Sequence, residues 1–182
     1  MKVELTEIPG VVVIEPHVLE DQRGFFFESW NAKRFAEHSL DATFVQDNHS
    51  KSGRGTLRGL HYQIRQAQTK VVRVIAGRVF DVAVDLRRSS PSFGRWVGAE
   101  LSAENRKMLW IPAGFAHGFY VLSEAAEFVY KCTDFYAPEW ERTIRWNDPD
   151  LAIEWPLIDA QPPRVSDKDD SGMAFRSAEY FP

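Results

Sequence analysis

The sequence predicts an all-β fold, a double-sheet jelly roll with a few short helices. Three observations carry that expectation. Along the clearest apolar segment, Val79 to Leu86, hydrophobicity has period two rather than 3.6: Phe80, Val82, Val84 and Leu86 share one face, and Asp81, Ala83 and Asp85 the other. Short runs of this kind are separated by turn residues such as Pro91, Pro112, Gly114 and Pro138, a pattern that favours a sandwich or barrel over alternating strands and helices. Aromatic residues make up 13% of the chain, and rings pack well on a pleated surface.

Taken in order, strands are expected over Gly10 to Glu15, Phe25 to Glu28 and Arg58 to Gln63. Lys70 to Ala76 is rich in β-branched residues and ends at Gly77, so with Val79 to Leu86 it reads as a hairpin. Arg95 to Leu101, Lys107 to Ile111, Gly118 to Leu122 and Glu127 to Tyr136 complete the set. Helix is scarce. Asn31 suits the N-cap of a short helix through Phe35 to His38, and Ser166 the N-cap of one that includes Asp169.

The 182 residues show no repeat, linker or composition shift, so residues 1–182 read as one domain. A chain of this size buries roughly 70% of its unfolded surface. Net charge is −4, from 22 basic against 26 acidic residues, and no basic run marks a nucleic-acid footprint. Cys132 is the sole cysteine, which excludes an intrachain disulfide and suits a reducing compartment. The opening MKVELTEIPG lacks an apolar core, and the run Val11 to Ile14 is far short of a membrane span. A cytoplasmic protein without membrane or nucleic-acid partners is expected.

Three segments concentrate reactive side chains. In Arg58-Gly59-Leu60-His61-Tyr62-Gln63, a regular strand would point Arg58 and His61 to opposite faces. For both to meet one ligand, Gly59 must permit a bulge or bend. In Glu127 to Tyr136, the side chains of Phe128, Tyr130, Cys132 and Tyr136 share one face; such a row is more often core than catalyst, yet buried phenols need hydrogen-bond partners. In Ile111 to Phe119, the spacing Pro112-x-Gly114-x-x-His117 is an element of cupin-type jelly rolls. It raises the question of a metal at His61 and His117, but His61-Tyr62-Gln63 is followed by no acidic residue before Lys70, which leaves too few good ligands. No metal is expected. Neither G-x-G-x-x-G nor a P-loop is present, so any phosphate would be held by basic side chains such as Arg23 and Arg58.

Several longer stretches together resemble the dTDP-4-dehydrorhamnose 3,5-epimerase family. They are Asp21-Gln22-Arg23-Gly24-Phe25-Phe26-Phe27-Glu28-Ser29, Phe44-Val45-Gln46-Asp47-Asn48-His49-Ser50, Leu57-Arg58-Gly59-Leu60-His61, Val79 to Asp85, Leu109 to Phe119 and Trp146-Asn147-Asp148-Pro149. The resemblance implies a jelly roll that works as a homodimer without metal or organic cofactor. It implies inversion of C3 and C5 of dTDP-4-dehydro-6-deoxy-D-glucose, with His61 as general base, Tyr130 as general acid, Asp169 as the carboxylate partnering the histidine, and Lys70 near the keto oxygen. Arg23, Glu28, Gln46, Asn48, Arg58, His117, Glu141 and Lys168 match substrate-contacting positions, and Tyr136 matches the ring that stacks on thymine. The loop between His61 and Lys70 looks shorter than in familiar members, and the tail past Asp170 carries no matching motif. Two rivals share much of this pattern: an epimerase acting at a single carbon, and a non-catalytic cupin-like sugar-binding protein, which would need no acid–base pair.

Overall fold

A computed structural model describes residues 1–182, and it is a sandwich of two antiparallel sheets. The strands in chain order are β1 (Lys2–Leu5), β2 (Val12–Glu15), β3 (Leu19–Asp21), β4 (Gly24–Phe26), β5 (Gln46–Gly53), β6 (Leu57–Gln63) and β7 (Lys70–Ala76). They continue as β8 (Arg78–Asp85), β9 (Trp96–Ser102), β10 (Met108–Ile111), β11 (Phe115–Val121), β12 (Ala125–Cys132) and β13 (Glu141–Thr143). One sheet has six strands in the order β1-β2-β10-β7-β12-β5; the other has five, β13-β6-β11-β8-β9; β3 and β4 pair only with each other. This is the expected jelly roll.

Three apolar layers hold it together. Between the sheets, Val72, Val74, Leu109 and Phe128 of one meet Val79, Ala83, Leu101, Phe115 and Phe119 of the other. Outside the six-stranded sheet, Phe35 and Leu40 cover Val12, Ile14, Val71, Met108 and Trp110. Outside the five-stranded sheet, Leu151, Trp155 and Ala178 cover Leu57, Leu60, Val82, Val84 and Tyr120. Central strands are therefore buried on both faces, and every residue of β11 is buried. Each such large side chain contributes about 1.5–3 kcal/mol relative to exposure.

Several expectations need correction. Lys70–Ala76 and Arg78–Asp85 form no hairpin: they lie in opposite sheets, and Gly77 is the corner between them. Gly77 has φ +75°, and a Cβ there would sit 2.0 Å from the Ala125 carbonyl oxygen, so the corner requires glycine. Alternation reveals a strand but not its partner. The apolar face of β8 is also not the one between the sheets: Val82 and Val84 pack beneath the C-terminal segment, while Asp81 and Ala83 turn inward. β12 ends at Cys132, short of Tyr136, which is exposed. β4 begins and ends earlier than Phe25 to Glu28, and β11 begins three residues before Gly118.

The polar segment Gln46–Gly53 pairs with β12 at every position, although its composition reads as a loop. It is an edge strand whose alternate residues face water, so it needs little hydrophobicity. β1, β3 and β13 are short strands of the same unpredicted kind. Both helices occur with their expected caps. α1 (Ala32–Ala36) stops before His38 and has the Asn31 side chain accepting from the Arg34 N–H; α2 (Asp167–Asp170) has Ser166 Oγ accepting from the Asp169 N–H at 3.2 Å.

Candidate active site

A cavity of about 240 Å³ opens at one end of the sandwich, with side chains from both sheets on its walls. The five-stranded sheet supplies Arg58 and His61 from β6 and His117 from β11; the six-stranded sheet supplies Lys70 from β7 and Tyr130 from β12. Tyr136, Glu141 and Lys168 stand at the same cavity. His61 and Tyr130 therefore face one space from opposing walls.

Gly59 decides how β6 contributes. The register with β11 shifts between His117 and Phe119, and Gly59 has φ +139°. A Cβ at Gly59 would lie 2.6 Å from the Gly118 Cα, so only two glycines allow the strands to approach this closely. The bulge sends Leu57 and Leu60 together into the outer core and leaves Arg58 and His61 together on the cavity. The anticipated bend at Gly59 is present.

The His61 Nε2 lies 2.5 Å from Asp169 Oδ1. Asp169 is only 3% exposed, and its place is set by α2 and the Ser166 cap. Burial works to raise its carboxyl, but the His61 hydrogen bond and charge, the Gly59 N–H and Lys168 hold it below its ordinary value. With Nε2 committed to Asp169, the other ring nitrogen of His61 is left for a ligand.

On the opposing wall, burial pushes the Tyr130 phenol up to about 12, helped by Cys132 and Glu141 and opposed by Arg58. The Lys70 Nζ lies 5.9 Å from the centre of the Tyr130 ring. Burial pulls the Lys70 ammonium down, against the charges of Cys132, Asp81 and Glu141. No carboxylate lies within ion-pair distance of it, so its charge is available to a ligand.

The mouth is tied by Glu141, which accepts from Tyr136 Oη and Lys168 Nζ, each at 2.9 Å. Burial raises the Glu141 carboxyl, but these two hydrogen bonds outweigh it and the group sits below its ordinary value. Gln46 Oε1 accepts from the Tyr136 N–H at 2.9 Å, and Gln46 Nε2 donates to Asn48 Oδ1 at 3.1 Å. Gln46 and Asn48 thus support the Tyr136 loop rather than line the cavity.

Two further expected contacts, Arg23 and Glu28, also lie away from the cavity. Arg23 projects from the β3–β4 turn, 89% exposed at its side chain and paired with Asp21. Glu28 accepts from Asn31 Nδ2 and pairs with Arg34. Neither lines the cavity of its own chain, because the hairpin that carries Arg23 pairs with neither large sheet. Asp81 was not expected: it is fully buried and bonded to His117. Its signal was an acid inside an otherwise apolar run. No group of three or more His, Cys, Asp or Glu converges as a metal-holding cluster, and no helix is long and apolar enough to cross a membrane.

The fold and the site together define a class: cupin-like jelly rolls whose cavity is lined by titratable side chains from both sheets. The model of dTDP-4-dehydrorhamnose 3,5-epimerase matches residues 5–177. The chain is 63% identical over 183 residues to the dTDP-4-dehydrorhamnose 3,5-epimerase of Pseudomonas aeruginosa, covering 100% of both. It is similar to the crystal structure of a Legionella pneumophila dTDP-6-deoxy-D-glucose-3,5-epimerase in complex with dTDP-4-keto-L-rhamnose, with TM-score 0.94, 52% identity, and 98% and 94% of the two chains covered. A 3'-monoepimerase from Streptomyces bikiniensis in complex with dTDP-quinovose is also similar, with TM-score 0.88, 35% identity, and 94% and 87% covered. The chain belongs to the dTDP-4-dehydrorhamnose 3,5-epimerase family.

Proposed function

We propose that this protein inverts C3 and C5 of dTDP-4-dehydro-6-deoxy-D-glucose to form dTDP-4-dehydro-L-rhamnose, in dTDP-L-rhamnose biosynthesis. The observation that carries the reading is the single cavity with His61 and Asp169 on one wall and Tyr130 and Lys70 on the other. C3 and C5 both flank the C4 ketone, so loss of either proton gives an enolate. His61 removes the proton through its free ring nitrogen, and Asp169 stabilises the imidazolium that forms. Tyr130 returns a proton to the carbon from the opposite face. A phenol held near 12 keeps its proton until the far more basic enolate carbon demands it. The Lys70 ammonium stabilises the developing oxyanion, a contribution commonly worth about 3 kcal/mol. Each inversion leaves a protonated His61 and a Tyr130 phenolate, which solvent resets before the next.

Arg58 and Lys168 supply positive charge for the diphosphate, and Tyr136 offers an exposed ring to the base. Arg23 and Glu28 act in the cavity of a second copy within a homodimer. The exposed Phe25 and Phe26 of the β3–β4 hairpin support that arrangement. Mixing Arg23→Ala with His61→Asn subunits tests it: activity returns only if Arg23 serves the neighbouring site.

Turnover in deuterium oxide, followed at the C3 and C5 proton signals, tests the reaction. Deuterium at both carbons is expected; label at C3 alone would favour single-carbon epimerisation, the reading suggested by the likeness to the S. bikiniensis 3'-monoepimerase. Tyr130→Phe should still exchange protons while inverting about 100-fold more slowly.

A further inference from the structure

The cavity holds a second imidazole–carboxylate pair, His117 with Asp81. Asp81 is fully buried, on the inward face of β8 beside Val79 and Ala83. His117 Nε2 lies 3.0 Å from its Oδ1 and 2.9 Å from its Oδ2, and no other group donates to it. A nearby acid of equal burial shows what a structural role looks like. Asp85 accepts from Arg87, Ser90 and Ser92 and is tied down on every side. Asp81 has one partner, and burial pushes its carboxyl up against the opposing pull of His117 and Lys70. An acid so placed is costly beside an apolar residue of similar volume, so fold stability does not explain it.

A carboxylate accepts, so Nε2 of His117 carries the proton. Nδ1 then has no protein partner, while the ring lines the cavity. We propose that Asp81 is a positioning residue that locks His117 as the Nε2–H tautomer, leaving the Nδ1 lone pair to accept a hydrogen bond from a hydroxyl of the ketosugar. This rests on the reading of the cavity as the sugar site. The Asp81 carboxylate never touches substrate; it acts through His117.

The test is nitrogen NMR of the whole protein at about pH 8, joined to kinetics. In the wild type, His117 should show a protonated Nε2 and a bare Nδ1. In Asp81→Asn the new amide can donate to Nε2, so the tautomer should invert and kcat/KM fall about 100-fold with the circular dichroism unchanged. The pair Asp81→Asn and His117→Asn together should be no slower than His117→Asn alone. A protonated Nδ1 in the wild type would overturn the assignment, even if Asp81→Asn did not fold; so would wild-type kcat/KM in a variant whose tautomer had inverted. The tautomer is read without substrate, so it stands apart from the ketosugar reading, which fails instead if the wild type exchanges no C3 or C5 proton.

Discussion

The two histidines that face each other across β6 and β11 are held by aspartates of different construction. His61 and His117 are cross-strand neighbours. The partner of His117 comes from the adjacent strand β8, deep between the sheets, in a place that the sheet itself dictates. The partner of His61 comes from a short helix 108 residues further along the chain, held by a serine cap and a C-terminal segment folded across the outer face. One pair is built into the sandwich; the other is assembled by docking a tail onto it. The docked pair is also the more open, with the His61 side chain 25% exposed against 9% for His117. Proton transfer to and from a ligand suits the accessible pair, and ligand orientation suits the rigid one.

That contrast can be broken in four ways, starting with the largest expected effect. His61→Asn should lower kcat by about 10⁴-fold and abolish deuterium exchange, whereas His117→Asn should cost about 100-fold and leave exchange measurable. Equal losses of exchange would erase the distinction between base and orienting residue. Asp169→Asn should lower kcat by about 10³-fold with little change in KM; a change confined to KM would show that Asp169 serves binding instead. Ser166→Ala should destabilise the protein by about 1 kcal/mol in urea unfolding and slow turnover, because the cap sets Asp169, while the His117 tautomer stays unchanged.

The smallest effect is on acid stability. The Asp169 carboxyl sits below its ordinary value in the folded protein, so it contributes stability that is full above about pH 4 and is lost as pH falls through the depressed folded value. Asp169→Asn should therefore flatten the acid limb of a stability-against-pH curve. An unaltered limb would mean that other carboxylates dominate it.

Much of the fold was legible in local pattern. Val79 to Leu86 stands out because apolar side chains alternate, Lys70 to Ala76 because β-branched residues run up to a turn glycine, and the caps Asn31 and Ser166 because their side chains satisfy a helix's first N–H groups. Edge strand β5 was not legible, since its stability comes from backbone pairing with β12 and not from its own polar side chains. Site chemistry divides the same way. His61, Lys70, His117 and Tyr130 stood out as reactive groups in strands, whereas Asp81 read as the polar side of an alternating strand until both faces proved buried.

The amino-acid order by itself determined which segments extend, where they turn and which reactive side chains the chain possesses, because those depend on residues within a few positions of one another. Only the tertiary structure decided that Gly77 is a corner between sheets, that Gly59 brings Arg58 and His61 to one cavity, and that Asp169 reaches His61 while Arg23 leaves its own cavity. Those outcomes depend on contacts between residues far apart in sequence, where closeness is set by how whole sheets pack.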